Sequence, residues 1–116
     1  MRHIVIYKPF DIVKVPFPFT DMQATKHRPA LIISSKAHIT NHHHCVLMMI
    51  TSAKQSAWID DTDIINLKTT GLTSPSKIRI KIFSLDIRLI TDVLGSLDSE
   101  TIKLVQKNIA KYLELK

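Results

Sequence analysis

The chain has 116 residues, 45% of them hydrophobic and 22% charged, a balance that suits one folded domain spanning residues 1–116 and excludes an intrinsically disordered chain. Sixteen Lys and Arg against ten Asp and Glu give a net charge of +6 and a pI near 9.6, which fits either a polyanionic partner (RNA, DNA, an acidic protein, an anionic membrane) or solubility alone. The longest apolar run, Cys45 to Ile50, falls far short of the ~20 residues of a spanning helix, so no membrane segment is expected.

The first stretch, Ile4-Val5-Ile6-Tyr7, is too short for a signal-peptide core and meets Lys8-Pro9 without a small-residue cleavage site, so a cytoplasmic location is expected. Asp11 to Val15 is β-branched and reads as a strand stopped by Pro16-Phe17-Pro18-Phe19, because proline donates no ladder hydrogen bond. Thr20 to His27 is polar and aperiodic and reads as a connection. Arg28-Pro29 then opens a strand whose buried run is Ala30 to Ser35. Lys36 to His44 reads as a second polar loop. Cys45 to Ile50, apolar on both faces and ending at Thr51-Ser52, predicts a central buried strand. The single cysteine cannot form an intrachain disulfide and is expected to be a buried thiol.

Ala53 to Asp63 reads as a loop, Ile64 to Leu67 as a short strand, and Gly71 as the turn residue after it. In Lys77-Ile78-Arg79-Ile80-Lys81-Ile82 the period of two sends isoleucines to the core and leaves three cations as a stripe on the other face. From Asp98, the spacing of Ile102, Val105, Ile109 and Tyr112-Leu113 predicts an amphipathic helix of about four turns, with Asp98 as N-cap and Glu100 favouring the dipole. Short strands followed by one terminal helix predict a mainly β fold, a small barrel or sandwich.

Few residues offer chemistry. Asp60, Asp61 and Asp63 lack the glycine and terminal glutamate of a calcium loop and read as solvated charge. His42-His43-His44 lie on adjacent positions with no second ligand pair at zinc-finger spacing, so no metal site is expected. Two glycines in the whole chain leave no phosphate-binding glycine loop. What remains is a basic, hydroxyl-rich set at strand ends: Arg28, Thr51, Ser52, Lys77, Arg79 and Lys81. Such a set can cradle a phosphodiester, because a guanidinium donates to phosphate through two parallel hydrogen bonds and a hydroxyl adds a third. As plain surface cations and strand-capping hydroxyls, the same residues would have no ligand.

The blocks Asp11 to Asp21 (Asp-Ile-Val-Lys-Val-Pro-Phe-Pro-Phe-Thr-Asp), Lys26 to Ser34 (Lys-His-Arg-Pro-Ala-Leu-Ile-Ile-Ser), Met49 to Ser52, Gly71 to Ser76, Phe83 to Asp86 and Leu94 to Leu97 resemble, in order, those of the MazF/PemK-type toxins of type II toxin–antitoxin systems. The resemblance implies an SH3-like barrel of the CcdB/MazF-like plasmid maintenance toxin fold with a C-terminal helix. It also implies a homodimer, a cognate antitoxin through which operator DNA is reached only indirectly, and metal-independent, sequence-selective cleavage of single-stranded RNA with no cofactor. By position it makes Arg28 and Thr51 the catalytic residues; Ser52, Lys77, Arg79 and Lys81 of the basic set, with Thr20 and His27, are expected to contact the RNA. His27 adjoins Arg28 but should face away from it on an extended backbone. The chain departs from the family at Phe10, where relatives usually carry glycine, and at Lys81 and Phe83, where many carry glutamine and arginine. Two alternatives share the resemblance: a non-enzymatic toxin that poisons a protein such as a topoisomerase, and a plain nucleic-acid-binding module with Phe17 and Phe19 as stacking platforms.

Overall fold

The structure is a computed structural model and describes residues 6–17 and 26–114. Its elements in chain order are β1 (Asp11–Phe17), β2 (Lys26–Ile32), α1 (Lys36–His42), β3 (His44–Ser52), β4 (Thr62–Asp63), β5 (Ser76–Asp86), a 3₁₀ turn at Ile87–Leu89, β6 (Asp92–Ser96) and α2 (Ser99–Tyr112). The strands form one antiparallel sheet in the order β4-β5-β3-β2-β1-β6. The mainly β expectation with a terminal helix therefore holds: a curled, six-stranded half-barrel.

Register explains the two cores. Val13 opposes Ala30, Ala30 opposes Met49, and Ile32 opposes Leu47; residues directly opposite share a face. On that face Val13, Val15, Ala30, Ile32, Cys45 and Leu47 pack with Ile39 of α1. The alternating residues Ile12, Leu31, Met48, Ile50 and Ile78 face the other way, against Leu97 and Val105 of the α2 region. β3 is apolar on both sides because it serves both cores.

Several elements differ from the sequence expectation. β1 runs on through Pro16 and Phe17, and β2 begins at Lys26, with Pro29 inside it. Both prolines are tolerated because only one ladder passes them: β1 pairs with β6 no further than Lys14, and β2 pairs with β3 only from Ala30. The expected loop at Lys36 to His44 is largely helix α1, started by the Ser35 hydroxyl accepting from the His38 N–H and closed by His43 in the left-handed region. Its short, polar sequence buries only Ile39, too little for a visible period. Ile64 to Leu67 is not a strand; pairing falls one step earlier, at Thr62–Asp63, and Ile64 packs into the core. α2 forms as expected, with the Asp98 carboxylate accepting from Thr101 N–H and Oγ.

The segment between β4 and β5 meets the edge strand β6 at a seam. Ser96 N–H donates to Thr69 O and Thr69 Oγ donates to Ser96 O, both at 2.9 Å. Both glycines of the chain lie there. A Cβ on Gly71 would stand 2.1 Å from Leu94 O, and one on Gly95 would stand 2.2 Å from Thr69 O, so backbones meet at a distance that no side chain permits. Gly71 also has φ +74°. Phe10 is a second conformational point, since it holds φ +69° without being glycine. Its N–H donates to Ile32 O at 2.6 Å and its carbonyl accepts from Leu97 N–H at 2.9 Å, tying β2 to the entry of α2.

Candidate functional site

Continuing the register past Ala30 and Met49, where the β2–β3 ladder ends, sets Arg28 beside Thr51. Arg28 opposes Val15, Met49 opposes Arg79, and Thr51 opposes Lys77. Arg28, Thr51, Lys77 and Arg79 therefore project from a single face, the one that carries Val13 and Val15. His27 opposes Pro16 and projects from the other, as its place next to Arg28 requires.

Thr51 is 6% exposed. The Arg28 guanidinium carbon lies 4.8 Å from the centroid of the Phe17 ring, a cation–π contact. Among the described residues, the buried Arg28 Nε has no hydrogen-bond partner. A buried donor left unpaired costs stability, which is unusual for a residue with a purely structural role and expected for one that awaits an anion. At the end where β2 and β3 part, Arg28 and Thr51 line a cleft of about 360 Å³ with Pro29, Thr73, Ser74 and with Lys14, Ile50, Ser52 and Ser76, which alternate onto the opposite face, so the cleft reaches round the strand ends and is not confined to one face.

Lys77 and Arg79 have a different environment. Arg79 donates to Asp61 through Nε at 3.2 Å and Nη2 at 3.0 Å, and to Ser56 O at 2.7 Å, while its guanidinium lies over the Trp58 ring at 4.7 Å. Lys77 Nζ reaches Gln55 O and lies 3.6 Å from Asp61. The expected exposed stripe is thus corrected: both side chains are nearly buried and anchor the 53–61 loop to β5. Asp61 is likewise not solvated charge, its side chain being 7% exposed. Burial alone would raise the Asp61 pKa, but hydrogen bonds from Arg79 and the Trp58 N–H, with the charges of Arg79 and Lys77, outweigh it and hold the carboxyl below its ordinary value. Lys81 is exposed and falls where the β3–β5 register shifts, between the paired positions Arg79 and Ile82. Phe83 opposes Leu47 and packs on the core. Thr20 and Phe19 lie outside the described residues.

Cys45 is fully buried, and burial pushes its thiol up to about 11, which disqualifies it as a nucleophile at neutral pH. His42, His43 and His44 end α1, occupy its left-handed cap and open β3; among the described residues no group of three or more His, Cys, Asp or Glu could hold a metal ion. Asp60 is engaged by the Tyr112 hydroxyl and by Lys111 at 2.9 Å, and these contacts lower its pKa. A larger hollow of about 600 Å³ between these aspartates and α2 carries Lys107, Lys111 and Thr62, but its three carboxylates, Asp60, Asp61 and Asp63, leave no excess of positive charge for an anion. Sequence reasoning missed Lys14, Thr73, Ser74 and Ser76 as cleft residues. Lys14 carried one signal, a cation between the apolar residues Val13 and Val15. No helix among the described residues is long and apolar enough to cross a membrane.

Comparison with known proteins adds an independent line. Residues 8–113 match the family described as PemK-like, MazF-like toxin of type II toxin-antitoxin system. No curated protein matches the chain. Among solved structures, MazF from Deinococcus radiodurans superposes with a TM-score of 0.75 at 17% identity, covering 97% of this chain and 100% of that one. An endoribonuclease in complex with its cognate antitoxin from a Mycobacterial species gives 0.73 at 17% identity, covering 97% and 98%. The Mycobacterium tuberculosis toxin MazF-mt6 gives 0.69 at 15% identity, covering 91% and 98%. At these identities the superpositions establish the fold.

Proposed function

Because the chain belongs to the PemK-like, MazF-like toxin family of type II toxin–antitoxin systems, we propose that it is a metal-independent, sequence-selective endoribonuclease acting on single-stranded RNA. The observation that carries this reading is that Arg28 and Thr51 line one cleft, with the buried Arg28 Nε unpaired among the described residues.

In the proposed reaction the ribose 2′-oxygen bonds to the adjacent phosphorus while the bond from phosphorus to the 5′-oxygen breaks. The 2′-hydroxyl loses a proton and the leaving oxygen gains one, giving a 2′,3′-cyclic phosphate and a 5′-hydroxyl. Arg28, permanently charged and so unsuited to act as a base, stabilises charge on the phosphoryl oxygens. Thr51 orients the phosphate by hydrogen bonding. Ser52 shares the cleft, and Lys77 and Arg79, two cations against one carboxylate, keep its surroundings positive. DNA lacks the attacking hydroxyl and is spared. A cognate antitoxin partner is proposed because similar structures are complexes of this kind: an endoribonuclease with its cognate antitoxin from a Mycobacterial species, and MazE-MazF from Deinococcus radiodurans. A single domain, a homodimer and a cytoplasmic site of action complete the reading.

Incubation with long single-stranded RNA in EDTA, followed by end mapping, tests it. Cleavage leaving cyclic phosphate ends is expected, with Arg28→Ala and Thr51→Ala each reducing the rate about a hundredfold or more. Intact RNA, or cleavage indifferent to both substitutions, overturns it; intact RNA in a chain that still arrests growth would instead favour a protein target.

A further inference from the structure

We propose that Trp58 is a stacking platform for an RNA base next to the scissile phosphate, an inference that rests on the RNA-cleaving reading and extends it to substrate positioning. Three observations converge on this residue. Arg79 and Thr51 stand diagonally across β3 and β5 on the same face, a separation of about 7–8 Å between Cβ atoms. The guanidinium of Arg79 covers the Trp58 ring at 4.7 Å, so the indole is held to the sheet face from which Thr51 projects.

The mount is rigid. Trp58 N–H donates to Asp61 Oδ2 at 2.9 Å, Trp58 O accepts from Asp61 N–H at 3.2 Å, and Asp60 between them holds φ +64°, which makes a closed turn. Asp61 is in turn clamped by Arg79 and Lys77. Yet 47% of Trp58 is exposed. A large aromatic mounted on a turn that a buried ion pair holds, and half open to solvent, suits a base, which needs π surface for its ring. Because the ring is already held, little ordering is lost when a base arrives.

Trp58 is also the only tryptophan in the chain, so its emission reports on this site alone. The full chain is titrated with a dye-labelled, single-stranded 2′-O-methyl oligonucleotide, which lacks the attacking hydroxyl, while tryptophan emission and dye anisotropy are followed together. Emission is expected to fall in step with binding. Trp58→Ala should weaken binding about tenfold and Trp58→Phe much less, and one abasic position in the oligonucleotide should cost the wild type the same factor and cost Trp58→Ala nothing. Binding with unchanged emission and an unaffected Trp58→Ala overturns the inference and leaves the RNA reading intact; absence of any binding overturns both. Emission that changes with protein concentration alone assigns the ring to contacts between copies and likewise overturns it. Binding with quenching, but without cleavage of ordinary RNA, sustains the platform and sinks the nuclease.

Discussion

Arg28 and Arg79 are the same residue type on the same face of one sheet, yet their surroundings are opposite. Arg79 has a carboxylate gripped at two nitrogens, a backbone carbonyl and an aromatic ring. Arg28 has the Phe17 ring, and its buried Nε has no partner among the described residues. The contrast separates a cation that holds the fold from one held ready for a ligand, a distinction that net charge and strand period do not make. It also divides the candidate site: in the proposed reaction Arg28 and Thr51 meet the substrate, whereas Lys77 and Arg79 hold the loop that carries Trp58.

The sharpest way to break this comparison is to remove the two sides in turn and read activity and stability separately. Arg28→Ala should lose cleavage by about a hundredfold or more while denaturant midpoints move little, because the loss of the Phe17 cation–π contact is offset by removal of a buried, unpaired Nε donor. Asp61→Ala should do the reverse in kind. It strands two nearly buried cations, and a loss of about 3 kcal/mol is expected in chemical denaturation. Asp61 also gives that loss a pH signature. Its folded pKa lies below the ordinary carboxyl value, so its stabilisation is complete above about pH 4 and fades as pH falls through the folded pKa. The acid limb of a stability profile between about pH 2 and 5 should be shallower in Asp61→Ala than in the wild type. A profile of unchanged slope would show that Asp61 is not the anchor.

The seam supplies an intermediate effect that belongs to neither arginine. Gly95→Ala places a methyl against the Thr69 carbonyl and should cost about 2 kcal/mol in thermal or denaturant unfolding. Since Gly71 and Leu94 line the cleft, some loss of cleavage should accompany it, smaller than that of Arg28→Ala. The smallest effect is expected at Phe10. Replacement by glycine removes the strain of a left-handed side chain, about 1–2 kcal/mol, but also removes a ring packed on the core, so the net change should be near zero. Phe10→Ala keeps the strain and loses the ring, and should be the less stable of the pair by calorimetry.

Much of this architecture was legible where one local signal sufficed. Asp98 and the spacing of Ile102, Val105 and Ile109 announced α2, and the two-sided apolar run announced β3. The period of two in β5 was read correctly as two faces. What it could not show was Asp61, a partner remote in sequence that turns a basic stripe into a buried anchor, because strand period carries no information about long-range pairing. Helix α1 was missed since one buried residue makes no pattern, and β6 since Asp92 to Ser96 buries none of its residues fully. Residue chemistry placed Arg28 and Thr51 in a basic, hydroxyl-rich set and the family resemblance singled them out as catalytic; the structure brings both to one cleft just beyond the end of the β2–β3 ladder.

Phe10 has a broader consequence. A bulky side chain persists in the left-handed region only when its surroundings over-determine it, and here the ties from its backbone to Ile32 and Leu97 do so. Drift at this position is therefore asymmetric: glycine is accessible at nearly no cost, while most other residues inherit the strain without the ring. Among descendants of this chain, position 10 should alternate between an aromatic residue and glycine and seldom pass through anything between.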